Sequence, residues 1–339
     1  MGHVRAIRYV LKRLAFVVPQ LFGIIAISFI LLKMIPGDSA MMMLGPMASE
    51  ESLGKLRQEL ALDKSMPQQL VIYMGKVVQG DFGKSWRTTR PVSEDLAKRF
   101  PATVELVTLS LFFAFAIGIP FGVTAAVLKS SFANKASTAY GLFAGALPDF
   151  WLGLVLIYVF YTLLGWAAAP MGRLELGYLP PPAYTGFYLF DAAITGDLDL
   201  LKNVAAKLLL PVLTLTIIAS GPIIKMTQST MDRILESDHI RYARSCGHSE
   251  FTLARRAFRN AAPSILTVVS VLYSFLVGGA VLVEIVFSWG GGGQYALAGV
   301  LNADINPVMG FVVWSAILSL IIYFFVDVLY LVIDPRIER

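Results

Sequence analysis

Six apolar runs, each long enough to cross a bilayer, alternate along this chain with polar stretches of very unequal length. Leu14 to Ile35, Ala102 to Leu128, Ala136 to Leu164, a run centred on Pro211 to Met226, Pro263 to Ser288 and Pro307 to Ile333 carry few charges. A hydrocarbon core takes about 20 helical residues to cross, and inside it a helix satisfies its own backbone hydrogen bonds. The pattern therefore predicts an all-α integral membrane protein with six transmembrane helices. Pro148-Asp149 is expected to interrupt the third span and Pro222 to bend the fourth.

The polar stretches set the orientation. Arg5, Arg8, Lys12 and Arg13 precede the first span without an acid, and Lys129 and Lys135 sit in the short turn between the second and third. Short positive loops stay on the cytoplasmic side. The first span is too long for a signal-peptide core and lacks a small-residue cleavage site, so it reads as uncleaved. Both termini are then cytoplasmic, and the last external loop, Trp289 to Asn306, carries no lysine or arginine. Residues 1–35 form the cytoplasmic N-terminus and first span, 36–101 an external cap region over the mouth of the membrane part, and 102–339 a core holding the other five spans. The cap mixes charges, with Glu50, Glu51, Lys55, Arg57, Glu59, Asp63 and Lys64 in one helix-like stretch, but loops of this length cross the membrane largely regardless of charge. The other long external stretch, Gly165 to Lys207, holds Pro180-Pro181-Pro182, which favours a stiff extended segment.

Composition agrees: 56% of the residues are hydrophobic and 15% charged, against about a quarter charged in soluble domains. The net charge of +5 is accounted for by cytoplasmic loops, and no aromatic-interleaved basic surface points to nucleic acid. Cys246 is the sole cysteine, which excludes an intrachain disulfide and a cysteine-based metal site; it reads as a small packing residue. The histidines, His3, His239 and His248, all fall in cytoplasmic segments, so no enzyme-like constellation faces the membrane. Gly83-Lys84-Ser85 imitates the end of a phosphate-binding loop, but the glycine required five residues earlier is Val78. The run Gly290 to Gly293 has no lysine and reads as a flexible re-entrant turn. Intramembrane acids are functional candidates: Asp149 is a candidate for lining a path through the membrane, whereas Glu105, near the interface, and Asp327 read as structural.

The most informative stretch is the polar interruption from Leu235 to Pro263, within a cytoplasmic loop spanning 232–262. Ile240, Ala243 and Cys246 fall on one face of a short helix, Gly247 supplies a left-handed stop, and Ser249 is placed to cap a second helix with Glu250 in its first turn. In that second helix Phe251, Ala254 and Phe258 recur at helical spacing, with Arg255, Arg256 and Arg259 outside. A basic amphipathic pair of helices at a membrane face can lie on anionic lipid or receive a soluble partner.

Leu235-Glu236, Asp238, Tyr242-Ala243-Arg244, Gly247, Ala257 and Arg259-Asn260-Ala261 resemble the cytoplasmic loop of ATP-binding-cassette (ABC) importer permeases, in the dipeptide/oligopeptide/nickel branch and in its first permease subunit. Pro36-Gly37-Asp38, Leu62-Asp63-Lys64, Gly80-Asp81-Phe82-Gly83 with Ser85, Pro91-Val92, Gly172-Arg173, Glu284-Ile285-Val286-Phe287-Ser288-Trp289 and Asp334-Pro335-Arg336 are similar to further landmarks of that branch. Three positions depart from the pattern. Arg241 replaces the glutamate of the general permease signature, Cys246 stands where the branch often has lysine, and Gly290 to Gly293 follow where a proline is usual.

The resemblance implies a non-enzymatic transmembrane subunit in the bacterial cytoplasmic (inner) membrane. It would pair with a second, related permease as a heterodimer, with two ATPase subunits below and an extracytoplasmic substrate-binding protein above. ATP and Mg would then belong to the ATPases, with no cofactor on this chain. Arg241, Tyr242, Ala243, Arg244, Gly247, Arg255 and Arg256 are the expected ATPase-coupling residues, and Asp149, Glu284 and Trp289 the candidate pore or gate residues. Trp86, Tyr184, Phe187 and Trp289 are available for stacking contacts from the external loops. Di- and oligopeptides are the implied solutes, with oligosaccharides, opine-like compounds or nickel complexes as alternatives. An ion-coupled secondary transporter is the competing class; it calls for coupling-ion groups at mid-membrane and often for inverted repeats.

Overall fold

A computed structural model of the chain describes residues 2–34, 39–45, 47–59, 61–128 and 131–333. The landmarks at Pro36-Gly37-Asp38 and Asp334-Pro335-Arg336, and Lys129, lie outside the described residues. The described residues are helical throughout their regular parts, and the bridge between Lys84 and Pro91 is isolated.

The helices, in order, are α1 (Gly2–Lys33), α2 (Ser39–Leu44), α3 (Glu50–Glu59), α4 (Met66–Val78), α5 (Val92–Leu128), α6 (Ser131–Ala146), α7 (Asp149–Leu156), α8 (Tyr188–Thr195), α9 (Leu198–Leu235), α10 (Asp238–Ser245), α11 (Glu250–Val286), α12 (Gly292–Leu301) and α13 (Ile305–Ile333). A π-helical stretch, Ile157–Leu163, prolongs α7. Five single helices, α1, α5, α9, α11 and α13, are long and apolar enough to cross a membrane, and α6 with α7 and its extension makes a sixth candidate span bent by 102°. The break falls at Pro148, as expected: a proline pushes the preceding residue out of helical geometry and offers no N–H to the turn before it.

Elsewhere the spans extend further than the apolar pattern indicates. The helix containing the second span begins at Val92 and runs through Pro101, and the fifth begins at Glu250 and runs through Pro263. The basic loop therefore holds one short helix, α10, followed by the first turns of a 37-residue helix, instead of two short helices. A membrane helix tolerates a proline where neighbours re-satisfy the freed carbonyl.

The centre of the fold is α9, lying against α5, α6 and α11. Its approach to α5 depends on glycine: a Cβ on Gly122 would stand 2.7 Å from Thr227 Cβ and 2.8 Å from the Ile224 carbonyl oxygen, and one on Gly118 would stand 2.9 Å from Ile223 Cγ2. Small residues four apart let two backbones close where lipid supplies no hydrophobic drive. Two buried charges fasten the 165–207 segment to this centre. Arg173 pairs with Glu105 at 2.6 Å, donates to the Gly186 carbonyl and lies 3.4 Å over the Tyr188 ring, while Glu105 also accepts the Leu189 N–H. Lys207 donates to the Ala169 carbonyl and pairs with Glu175 at 2.7 Å. Pro180 to Pro182 lie outside any helix. Asp327 pairs with Arg13 at 3.1 Å and ties α13 to α1.

Candidate functional site

The basic turn is built by two capping motifs back to back. At the end of α10 the Gly247 N–H donates to the Arg244 carbonyl and the His248 N–H to the Ala243 carbonyl, the double bond pattern of a Schellman stop. That stop needs a left-handed residue, and Gly247 has φ +82°. Ser249 then caps α11 by accepting the Thr252 N–H. Arg244 spans the turn and donates to both carboxylate oxygens of Glu250, at 2.8 and 3.1 Å.

The turn is seated on its own small core. Ile240 and Ala243 pack with Leu235, Met231, Leu253 and Ala257. This corrects the face assignment. Ala243 points inward, Cys246 is exposed, and the buried stripe of α11 is Leu253, Ala257, Ala261 and Ile265, with Phe251 on the outside. Of the expected aromatic stripe, Phe258 is partly buried and packs against this core, while Phe251 does not. Tyr242 and Phe251 are 73% and 79% exposed, beside exposed Arg241, Arg255, Arg256 and Arg259. Arg241 is 3.9 Å from Asp238. Two aromatic rings and four cations thus stand exposed on the turn and the first turns of α11.

The other candidates lie at two further places. Asp149 begins α7 at the 102° break; its Oδ1 accepts the Phe150 N–H at 2.9 Å, and its Oδ2 is 3.1 Å from where a Cβ on Gly279 would be. It is half-buried, with no cation paired to it among the described residues. Glu284, by contrast, is fully enclosed at the end of α11. It accepts the Thr103 hydroxyl from α5 and the Gln294 N–H from α12 at 2.7 Å, while the Gly292 N–H donates to Thr103 Oγ1 at 3.0 Å.

The glycine run is therefore no loose turn. A Cβ on Gly291 would fall 2.3 Å from Glu284 Oε1 and one on Gly293 3.0 Å from Oε2, so the glycines let the backbone wrap the carboxylate. Trp289, expected to be open to solute, is 2% exposed and donates from Nε1 to the Ala102 carbonyl at 3.1 Å. Trp86 and Phe187 are half-buried, leaving Tyr184 as the open ring of that group. Thr103 and Gln294 carry no motif of their own, and Arg173 only the Gly172-Arg173 landmark; only the fold brings them to Glu284 and Glu105.

Residues 118–339 match the family described as binding-protein-dependent transport system inner membrane component, and residues 6–107 match the N-terminal family of such membrane components. The chain belongs to the ABC importer permeases. Within them it is a member of the dipeptide/oligopeptide branch. The permease is 36% identical to the dipeptide transport system permease protein DppB of Escherichia coli K12, over 98% of this chain and 99% of that one. It is 37% identical to the probable D,D-dipeptide transport system permease protein DdpB of the same strain, over 94% and 93%, and 34% identical to DppB of Alkalihalophilus pseudofirmus, over 97% and 99%. The permease is thus a multi-pass transmembrane subunit of a binding-protein-dependent importer, and not an enzyme. Subunits of this kind work with a partner permease, ATPases and a binding protein.

Proposed function

We propose that this permease forms half of a translocation path for di- or oligopeptides, with a second, related permease supplying the other half. The basic turn faces the cytoplasm and docks in one of two ATPase subunits, which hold ATP and Mg; both termini face the cytoplasm. The segment α2–α4 and the α12 region face outward, where the substrate-binding protein delivers its load. The observation that carries this reading is the geometry of the turn: a Schellman stop and a serine cap hold exposed Tyr242, Phe251 and the arginines rigid on a buried seat. The dipeptide names of relatives that cover nearly the whole chain support the choice of solute.

Docking moves a rigid lever. The turn continues without a break into α11, and α11 ends at Glu284 beside Trp289 and the glycine wrap. ATP-driven closure of the ATPases displaces the turn, and α11 carries the displacement to the outer end as a change between two packed arrangements. Glu284 and Trp289 serve there as the hinge of the gate. Asp149 lines the path, where an unpaired carboxylate suits the ammonium end of a peptide.

The test is reconstitution of the permease pair, ATPases and binding protein in proteoliposomes with dialanine. ATP-dependent uptake that falls at least tenfold in Gly247→Trp and in Arg255→Glu/Arg256→Glu, with assembly of the permease pair intact, is the expected result. Uptake that needs an ion gradient and no ATP would overturn the reading in favour of a secondary transporter.

A further inference from the structure

The α12 end of the permease contains a polar cavity, apart from the basic turn, that adjoins the glycine wrap through Gly290 and Gln294. Its volume is about 330 Å³, and its lining includes Arg87, Thr88, Arg99, Ser288, Gln294 and Tyr295. The walls come from the strap before α5, the first turns of α5, the corner between α11 and α12, α12 itself and its junction with α13, where Asp304 lies. They are locked together. Ser85 donates to Asp304 Oδ2 at 2.6 Å, Asn306 donates to the Lys84 carbonyl at 2.8 Å, and Asp95 accepts the Thr88 hydroxyl at 2.5 Å and the Tyr295 hydroxyl at 3.1 Å.

The acids are already engaged: Asp304, which itself lines the cavity, also accepts the Arg87 backbone N–H at 3.5 Å, and Asp95 has Arg90 at 3.8 Å. Asp304 and Asp95 are each 2% exposed and turned into hydroxyl partners. Arg87 and Arg99 form no ion pair among the described residues; the Arg99 guanidinium carbon lies 5.3 Å from the centre of the Tyr295 ring. Burial and the charge of Asp95 push the Tyr295 hydroxyl up to about 12, so it stays a neutral donor to Asp95. Gln294 gives its side-chain oxygen to the Gly290 N–H at 2.7 Å, which leaves its NH₂ as a donor. Two guanidiniums, an amide NH₂ and the Ser288 hydroxyl around one concave space form a donor-rich site. A guanidinium fork takes a carboxylate through two parallel N–H bonds, and the volume falls within the range of small-molecule sites.

We propose that this cavity binds the carboxylate of the transported solute as it enters the path, with Arg87 and Arg99 as the cationic partners. The assignment rests on the peptide reading above and on the outward placing of α12. It gives the entrance a preference for solutes with a free acid end. The binding step is non-covalent and uses the permease as it stands.

Saturation-transfer NMR on the permease–ATPase complex in nanodiscs, without binding protein, tests it with three probes: dialanine, dialanine amide and propionate. Dialanine and propionate are expected to give signals that the amide lacks. Arg87→Gln/Arg99→Gln is expected to lower the dialanine signal at least fivefold, and Arg99→Lys to keep at least half of it. Arg87→Gln alone, at an exposed side chain that the fold does not use, is expected to lower it at least twofold and keeps the test valid should the double variant not fold. Equal signals from dialanine and its amide, or no arginine-dependent signal from either dialanine or propionate, would overturn the proposal. So would folded variants with unchanged signals that instead weaken docking of the binding protein, since the carboxylate would then be that protein's. Arginine-dependent propionate binding without dialanine binding would uphold the carboxylate site and sink the peptide reading; dialanine uptake in proteoliposomes with no arginine-dependent binding would do the reverse.

Discussion

The Arg173–Glu105 pair shows at the scale of one residue how the 165–207 segment is fastened. Both side chains are buried, at 10% and 3% exposure, and each has a second backbone partner in the Gly186 carbonyl or the Leu189 N–H. Removing one partner leaves the other charged and buried, which costs about 3–5 kcal/mol. Arg173→Met is therefore expected to lower the thermal unfolding midpoint in detergent sharply, and Glu105→Gln/Arg173→Met to recover part of the loss. A double variant no better than the single would mean that the pair is not what holds the segment. Glycines act at the same scale. Gly122→Leu would drive a side chain into Thr227 and the Ile224 carbonyl, and overpacking of this kind costs about 1–3 kcal/mol. Separation of α5 from α9, read as a lowered midpoint, is the expected outcome. Glu105 was legible in the sequence as a structural acid, since it lies at the edge of an apolar run. Arg173 was legible only as part of a Gly-Arg landmark, because nothing local says that residues 68 apart in sequence will meet.

For single elements, α10 and the start of α11 were the most legible part of the chain. Gly247 and Ser249 are local signals, and both act where their chemistry indicates: one supplies φ +82°, the other an oxygen to the Thr252 N–H. Which side chains face inward was less legible. Phe251, Ala254 and Phe258 have helical spacing, yet the buried stripe is Leu253, Ala257, Ala261 and Ile265. Periodicity identifies a face, but the depth of the groove that receives it decides which of two candidate faces is buried, and that groove belongs to α9. The difference has a measurable consequence. Tyr242→Ala and Phe251→Ala are expected to leave the unfolding midpoint within about 1 °C, as surface changes do, while weakening retention of the ATPase subunits at least tenfold. Ile240→Asp, which buries a charge in the seat, is expected to lower the midpoint as well. Equal ATPase retention in the two aromatic variants would remove them from the docking surface.

The whole molecule carries the less legible lesson. Apolar runs located the five long apolar helices and the bent pair α6–α7, but they stopped short of the helices: α5 starts at Val92 and α11 at Glu250, so two of them reach past the apolar segment into polar ground. These extensions matter because α11 then joins the basic turn to Glu284 as one rigid body. The glycine run was misread as flexible for a related reason. Four glycines have no fixed conformation of their own, and their tight wrap is imposed by the buried Glu284 carboxylate, which comes from earlier in the chain. Gly291→Ala would set a methyl against that carboxylate, and loss of ATP-dependent dialanine uptake with the permease pair and ATPases still assembled is the expected outcome. Unimpaired uptake would show that the wrap takes no part in gating.

Cys246, the sole cysteine and exposed at the apex of the basic turn, lets the docking of that turn be measured directly. A membrane-impermeant maleimide is applied to inside-out vesicles and to right-side-out vesicles, with and without bound ATPase subunits, and the label is read from the mass of this chain. Labelling from the cytoplasmic side alone, at least tenfold slower once the ATPases are bound, is the expected result. Labelling from the external side, or an unchanged rate with the ATPases in place, would contradict the assignment of this turn as the point where ATP hydrolysis meets the transport path.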